Sequence, residues 1–430
     1  MKRSLSLFTV IALFAMILAA CGGQQAAQPT TAPAATEAPA APAATEAPAA
    51  PAATEAPAAG GETGMMPVTG SVTLWHAYGT GSAEETAINT LIENARAAYP
   101  EATINVLQIP FDQIFNKFNT EVSAGGGPDM FIAPNDSLGS QVRQGLLADL
   151  TEYIPALEAE NVSPTAIEGM TVDGVLYAIP ESFKAVALYY NKSKVATPPT
   201  TTDELLAAVQ GGNKLVLNQN AYHNFGWLPA FGGTLMDDTG KCVADQAGGT
   251  EWLTYLKTLK GEANVTFSTD GGQADSLFKD GQADMIINGP WALGDYRNAL
   301  GDDLAVAPMP GATNPAGPLT GVDGFYVSIN SPNIPGAVAL AMFLTSKESM
   351  QVYVDQAGHV PARTDIEISD PNVAGFAEAS ATGFPRPQVP ELDNFWGPFG
   401  DAVTKVLDGG ADPAAAITEA CATMNTANGK

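Results

Sequence analysis

The sequence predicts two α/β halves in series, set behind a signal-like leader and a low-complexity tether. Three observations predict this. From Ser71 onward, short apolar runs alternate with stretches of helical spacing. The alternation is interrupted around Ser182–Ala185 and then resumes. The chain has 430 residues, more than one ordinary hydrophobic core holds.

The leader is Met1–Cys21. Lys2 and Arg3 precede an apolar run from Leu5 to Ala20 that is too short to span a bilayer comfortably. It closes on Leu18-Ala19-Ala20-Cys21-Gly22. Next comes Gln24–Thr69, in which PAATEAPAA occurs at Pro33–Ala41, Pro42–Ala50 and Pro51–Ala59. Ala and Pro dominate there, so the segment has too little apolar surface to offset the entropy of ordering it. Repeated proline favours an extended spacer.

In the first half, Val72–Trp75, Thr103–Ile109 and Asp129–Ala133 read as strands. Ile88, Leu91, Ile92 and Ala95 mark a helix over Glu84–Tyr99. Ile114, Phe115, Phe118 and Val122 mark another over Phe111–Val122, and Leu138–Leu147 is a third. Strands that alternate with helices predict a largely parallel sheet. Asp173-Gly174, between short apolar arms, predicts a hairpin.

The second half starts with strand Val186–Tyr190, helix Thr202–Val209 with Thr202 and Asp203 as capping residues, and strand Lys214–Leu217. Asn218–Asn224 reads as a polar, aromatic loop. Helices over Thr250–Leu259 and Gln273–Lys279 lead to strand Met285–Ile287, which Gly289-Pro290 ends. Trp291 follows immediately. Open α/β sheets bind ligands beyond the carboxyl ends of their strands, so this ring is either a ligand platform or a core plug. Strands Leu304–Pro308 and Gly324–Ile329 come next, then helices Pro335–Thr345 and Lys347–Gln356 and a final pair, Phe399–Leu407 and Pro413–Met424.

The net charge of −27 argues against a nucleic-acid backbone or an anionic lipid surface as partner, since both need Lys and Arg. His76, His223 and His359 are scattered, and neither a metal-ligand cluster, a P-loop nor a nucleophile elbow is present. No catalytic residue, metal or cofactor is therefore assigned. Asp129, Asp136 and Asp323 are acids of the kind glycoside hydrolysis needs, but no motif pairs two of them. Whether Cys242 and Cys421 pair is open, because sequence carries no distance.

The order of four pieces resembles the family 1 extracellular solute-binding proteins of ABC importers, which include maltose- and maltodextrin-binding proteins. The pieces are GGGPDMFIAPND (Gly125–Asp136), GVLYAIPESFKAVALYYNKSKV (Gly174–Val195), GQADMIINGPWALGDYR (Gly281–Arg297), and Pro318–Arg363 with GVDGFYVSINSP and GHVPAR. The leader resembles a bacterial lipoprotein signal in which Cys21 becomes the lipidated first residue. The resemblance implies a two-lobed periplasmic-binding-protein (type II) fold with a multi-crossing hinge. It places 71–182 with 325–363 in one lobe and 185–316 with 366–430 in the other, behind a signal at 1–20 and a linker at 21–69. It implies a monomer outside the cytoplasm, anchored to the membrane by lipid, that passes a saccharide to permease subunits.

The resemblance also implies site residues. Trp291, Tyr222 and Trp396 fall on sugar-stacking aromatics, suited to pyranose rings with apolar faces and hydroxylated rims. Asp136 falls on an acidic residue that accepts from sugar hydroxyls, although as an N-cap before Leu138 it would be equally at home. Ser137, Lys184 and Asn220 stand where relatives carry Arg, Glu and Glu, and Gly79-Thr80, beside Tyr78, replaces an acidic-basic pair. Lys184, Asn220 and Tyr78 therefore complete the expected site with a rewritten polar rim. Lys184 has Glu181 or Asp323 as ion-pair partners, or an acidic sugar. Trp75, Trp227 and Trp252 read as core. A non-sugar solute such as an anion, iron or a polyamine, and a glycan-processing enzyme, are the alternatives. Tyr189-Tyr190 imitates an iron-binding pair, but adjacent strand residues point to opposite faces.

Overall fold

The computed structural model describes residues 66–430. The leader, Cys21 and the repeats lie outside the described residues. Val68 is buried and Met66 packs against the same core, so the chain has joined the first core within three residues of the start of the described part.

Two sheets organise the body. Strands β1 (Ser71–His76), β2 (Thr103–Gln108) and β3 (Met130–Pro134) come first, followed by β4 (Thr171–Val172), β5 (Val175–Leu176) and β6 (Ala178–Lys184). Next are β7 (Ala187–Asn191), β8 (Leu215–Asn218), β9 (Val265–Ser268), β10 (Met285–Asn288) and β11 (Leu304–Ala307). The return strands are β12 (Leu319–Val327), β13 (Val360–Pro361) and β14 (Phe384–Pro385). The first sheet runs β13-β6-β12-β3-β1-β2, with β14 joined to β12, and the second runs β11-β7-β10-β8-β9. Strands β4 and β5 form a separate hairpin whose turn residues Asp173 and Gly174 have φ of 51° and 82°, as the Asp-Gly pair predicts.

Neither sheet is largely parallel, contrary to the expectation from alternation. Strand β1 is parallel to β2 and β3, but β12 is antiparallel to both β3 and β6. In the second sheet β8 is parallel to β9 and β10, whereas β7 is antiparallel to β10 and β11. Every antiparallel pair in the two sheets involves β6, β7 or β12, the strands beside the crossings. Only Ala185 and Val186 separate β6 in one sheet from β7 in the other. The chain returns through β12 to the first sheet, and the helix Pro371–Ala381 then packs on β11 of the second.

Burial explains why these runs are strands. Leu215, Leu217, Met285 and Ile287 face one core of the second sheet, and Val216, Ile286 and Tyr189 face the other. Alternate residues thus serve opposite faces, and both faces are covered. The first sheet carries its own core, which includes Trp75; Trp227 and Trp252 are fully buried in the second half, as expected.

The helix Ala83–Ala98 is capped by Ser82, whose side chain accepts from the Glu85 backbone N–H at 3.1 Å. Thr201, one residue before the expected caps, caps Thr202–Gln210. The helix from Leu138 stops at Arg143, short of Leu147, because Gly145 turns the chain at φ 68° and Leu147 bridges to Ser328. The expected loop Asn218–Asn224 contains a short helix, Ala221–Asn224, capped by Asn220. Cys242 and Cys421 form a disulfide that ties the terminal helix Pro413–Ala427 to the loop before Gly249–Lys260.

Candidate functional site

Four expected site residues follow the carboxyl ends of strands: Tyr78 after β1, Asp136 after β3, Tyr222 after β8 and Trp291 after β10. Those ends border a cavity of about 850 Å³. All seven expected ligand-binding residues line it: Trp291, Tyr222, Trp396, Asp136, Asn220, Lys184 and Tyr78. A smaller cavity of about 310 Å³ lies at the other ends of β8 and β10, by Lys214 and Gln282, and has no aromatic lining.

One wall is a platform of three half-buried rings. Tyr222 lies 6.1 Å from Trp291 and 6.3 Å from Trp396, centroid to centroid. Trp291 is held in place by its own main chain. The peptide turns at Gly289, whose carbonyl accepts from the Tyr189 hydroxyl at 2.8 Å, and the indole folds back over that residue. A Cβ at position 289 would come within 2.0 Å of the indole, so only glycine admits the ring. His223 braces both neighbours edge-on, at 5.4 Å from Tyr222 and 5.9 Å from Trp291. Burial pushes the His223 imidazole down to about 4, which leaves it neutral at pH 7. Asn220 spends its side-chain oxygen on the backbone N–H of His223 at 2.9 Å. Its role in the fold is thus a cap, with the remainder of the amide at the cavity.

The floor is ionic. Lys184 meets Glu84 at 3.1 Å and Asp323 at 3.3 Å. Of the two partners considered for Lys184, Asp323 is the contact, and Glu181 pairs instead with His359 at 2.7 Å. The other ring nitrogen of His359 reaches Glu84 at 2.8 Å. Burial alone would depress the Lys184 ammonium, but Asp323 and Glu84 outweigh it and hold its pKa above the usual lysine range. Burial also works against a charged His359, yet Glu181 raises it to about 9. Burial pushes Asp323 up to about 6 against the pull of Lys184, and its Oδ1 has no hydrogen-bond partner among the described residues. Tyr78 closes this corner, edge-on to Tyr353 and His359.

The polar rim holds a residue the sequence reading missed. Asp136 does not cap the helix after it; Ser137 occupies the cap position without a side-chain bond, and Asp136 is ion-paired to Arg386. Burial raises the Asp136 carboxyl and Arg386 opposes that rise. Arg386 also donates to Asn135 Oδ1 at 3.3 Å, and its guanidinium lies 5.5 Å from the Tyr222 ring and 6.0 Å from Trp396. A Cβ at Gly321 would meet it at 2.5 Å, so that glycine makes its room. Where Ser137 departs from the expected Arg, a guanidinium arrives from 250 residues away. Glu84 and His223 were also missed. For Arg386 and Glu84 the only signal was chemical type, since their partners are distant in the chain; His223 stands in the polar, aromatic loop beside Asn220 and Tyr222.

Two mixed sheets joined by crossing strands, with a ring-walled cavity at their strand ends, define a two-lobed α/β binding protein of the periplasmic-binding-protein kind. Residues 90–378 match the model of the bacterial extracellular solute-binding protein family, and the chain belongs to that family. A maltotriose-binding protein of Pyrococcus abyssi is 29% identical over 378 residues, spanning 82% of this chain and 80% of the relative. A galactooligosaccharide-binding protein of Bacillus subtilis is 26% identical over 77% of this chain and 85% of its own. The solved maltotriose binding protein of Thermus thermophilus, bound with maltotriose, superposes with a TM-score of 0.76 at 30% identity, covering 83% of this chain and 100% of that one.

Proposed function

We propose that this protein is the saccharide-binding component of an ABC-type importer, held outside the cytoplasm by lipidated Cys21 and the Ala/Pro tether. It takes an oligosaccharide between two lobes, about 71–182 with 325–363 and 185–316 with 366–430, and delivers it to a membrane permease without chemical change. The observation that carries this reading is the platform: Tyr222 with Trp291 at 6.1 Å and Trp396 at 6.3 Å, on one wall of an 850 Å³ cavity. Flat rings match the apolar faces of pyranoses, and the Asp136–Arg386 and Lys184–Asp323 pairs supply acceptors and donors for hydroxyls. The named relatives, which bind maltotriose or galactooligosaccharides, support the ligand class.

Charge argues against an anionic ligand. Glu84, Asp112, Asp136 and Asp323 line the cavity against Lys184 and Arg386, an excess of acid that disfavours anions. Both cations are already paired. Calorimetric titration with maltodextrins and galactooligosaccharides tests the reading. Binding of at least one series, with the sugar recovered intact, is expected. Binding of iron, an anion or a polyamine and of no saccharide would refute it, and turnover of the sugar would refute the non-enzymatic role.

A further inference from the structure

Asn288, the last residue of β10, stands between the platform and two polar side chains that are not among the residues lining the cavity, Asp275 and Tyr296. It is buried, and each hydrogen-bonding atom of its amide is engaged. The amide nitrogen donates to Asp275 Oδ1 and to the Tyr296 hydroxyl, both at 2.8 Å, and that hydroxyl donates in turn to Asp275 at 2.6 Å. The amide oxygen accepts from the Gly289 backbone N–H at 2.9 Å and faces Nε2 of His223 at 3.3 Å. With a carboxylate at one end and a backbone N–H at the other, the amide has a single orientation. Tyr296 is fully buried, and Asp275, on the helix Gly271–Lys279, is half-buried.

Through its oxygen Asn288 reaches the supports of two platform rings. Gly289, over which the Trp291 indole folds, has its N–H held by Asn288 and its carbonyl held by Tyr189. His223, edge-on to Tyr222 and Trp291, has an amide oxygen at each ring nitrogen: Asn220 at 2.9 Å from Nδ1 and Asn288 at 3.3 Å from Nε2. Both oxygens are fixed as acceptors, since each also takes a backbone N–H. A neutral imidazole has one N–H and satisfies one of them; the shorter contact places that proton on Nδ1. A core amide would serve the fold with any set of partners. This one has on its oxygen the two groups that hold the platform rings.

We propose that Asn288 is a positioning residue for saccharide binding: held by Asp275 and Tyr296, it fixes the Gly289 turn and His223, and so sets the placement of Trp291 and Tyr222 without touching the sugar. This rests on the saccharide reading of the platform. Affinity thereby depends on three side chains that are not part of the cavity lining.

The test exchanges the acid and the amide. Asn288→Asp with Asp275→Asn keeps every partner: the carboxylate at 288 accepts from Gly289, from Tyr296 and from the amide at 275, and it sets a negative charge against His223 Nε2. Lys279 on the same helix as position 275, Asp295 on the helix Leu293–Leu300, and Arg386 beyond Tyr222 are the charged groups around this assembly, and they are common to both proteins. Burial holds His223 down at about 4 in the wild type, so its ring is neutral from about pH 5 to pH 8. In the exchanged protein its titration, followed by NMR of the imidazole, should move up by more than about one pH unit. Kd for the tightest binder among α-1,4-linked glucose oligomers and galactooligosaccharides is then measured by calorimetry over that range. It is expressed as a ratio of the two proteins, because Asp323 titrates at about 6 in both. The ratio should change by about threefold or more across the new His223 midpoint, the low end of one net hydrogen bond. A midpoint that stays in place, or one that moves while the ratio stays flat, would overturn the positioning role. Should the exchange prevent folding, Asp275→Asn alone decides: it keeps the shape at a half-buried position and should weaken binding about threefold, and wild-type affinity would overturn the role. A wild type that binds no saccharide overturns the saccharide reading and this role with it, whereas sugar binding with a flat ratio overturns this role alone.

Discussion

Replacing Trp291 with alanine removes the ring that the strand end at β10 presents to the cavity. A tryptophan buries about 150–250 Å² in full, and Trp291 is already half covered by Gly289 and its neighbours. One face remains for a ligand, on the order of 80 Å². At about 25 cal/mol per Å² its loss costs about 2 kcal/mol, or roughly thirtyfold in Kd. That is the scale of a buried aromatic anchor. Trp291→Phe keeps a smaller ring in the same place and should fall between wild type and alanine. The assay is calorimetry with the tightest saccharide found, on variants whose melting confirms a native fold. Tyr222 and His223 stay beside the vacated position, so the rest of the platform persists. A folded Trp291→Ala protein with wild-type affinity would return the ring to a purely structural role and remove the main support for the platform.

Three further outcomes follow from the same geometry. The disulfide spans 179 residues, which in a chain-entropy model corresponds to about 5 kcal/mol; Cys242→Ser with Cys421→Ser should cost about 2–5 kcal/mol in chemical denaturation, and an unchanged midpoint would contradict the pairing. Arg386→Met leaves the Asp136 carboxylate without its buried partner and should cost about 3 kcal/mol, most of which Asp136→Asn in the same chain restores; equal stability of the single variant would show that the pair is idle. His359 has a folded pKa of about 9, above the unfolded value, so its stabilisation is complete below about pH 6.5 and is lost as pH rises through 9. Melting temperatures should fall across that window, and His359→Gln should flatten the fall; a wild-type curve that is flat from pH 7 to 9 would contradict the charged imidazole.

Much of this architecture was legible because it is local. The strand at Met285–Ile287, its break at Gly289-Pro290 and the ring beyond need only neighbouring residues to be read. The helices Ala83–Ala98 and Phe111–Ser123 were visible in their apolar spacing. What stayed hidden depends on contacts between distant positions. Asp136 as a carboxylate in search of a hydroxyl was legible, but Arg386, which meets it, sits in an unremarkable Pro-Arg-Pro run. The three histidines looked unrelated to anything, yet His359 joins Glu84 and Glu181 across three separate segments. Strand direction failed for the same reason, since alternation of elements says nothing about which sheet a strand enters after Ala185-Val186.

The fold of Trp291 back over Gly289 means that the position of the ring is written at two places in the chain. A side chain at 289 would displace the indole without altering any residue that lines the cavity. The cavity wall is thus vulnerable to a change that a survey of lining side chains would pass over. Conversely, a smaller residue at 291 would release the constraint on 289. The two positions are sterically coupled, so the glycine shapes the cavity wall as much as the tryptophan does.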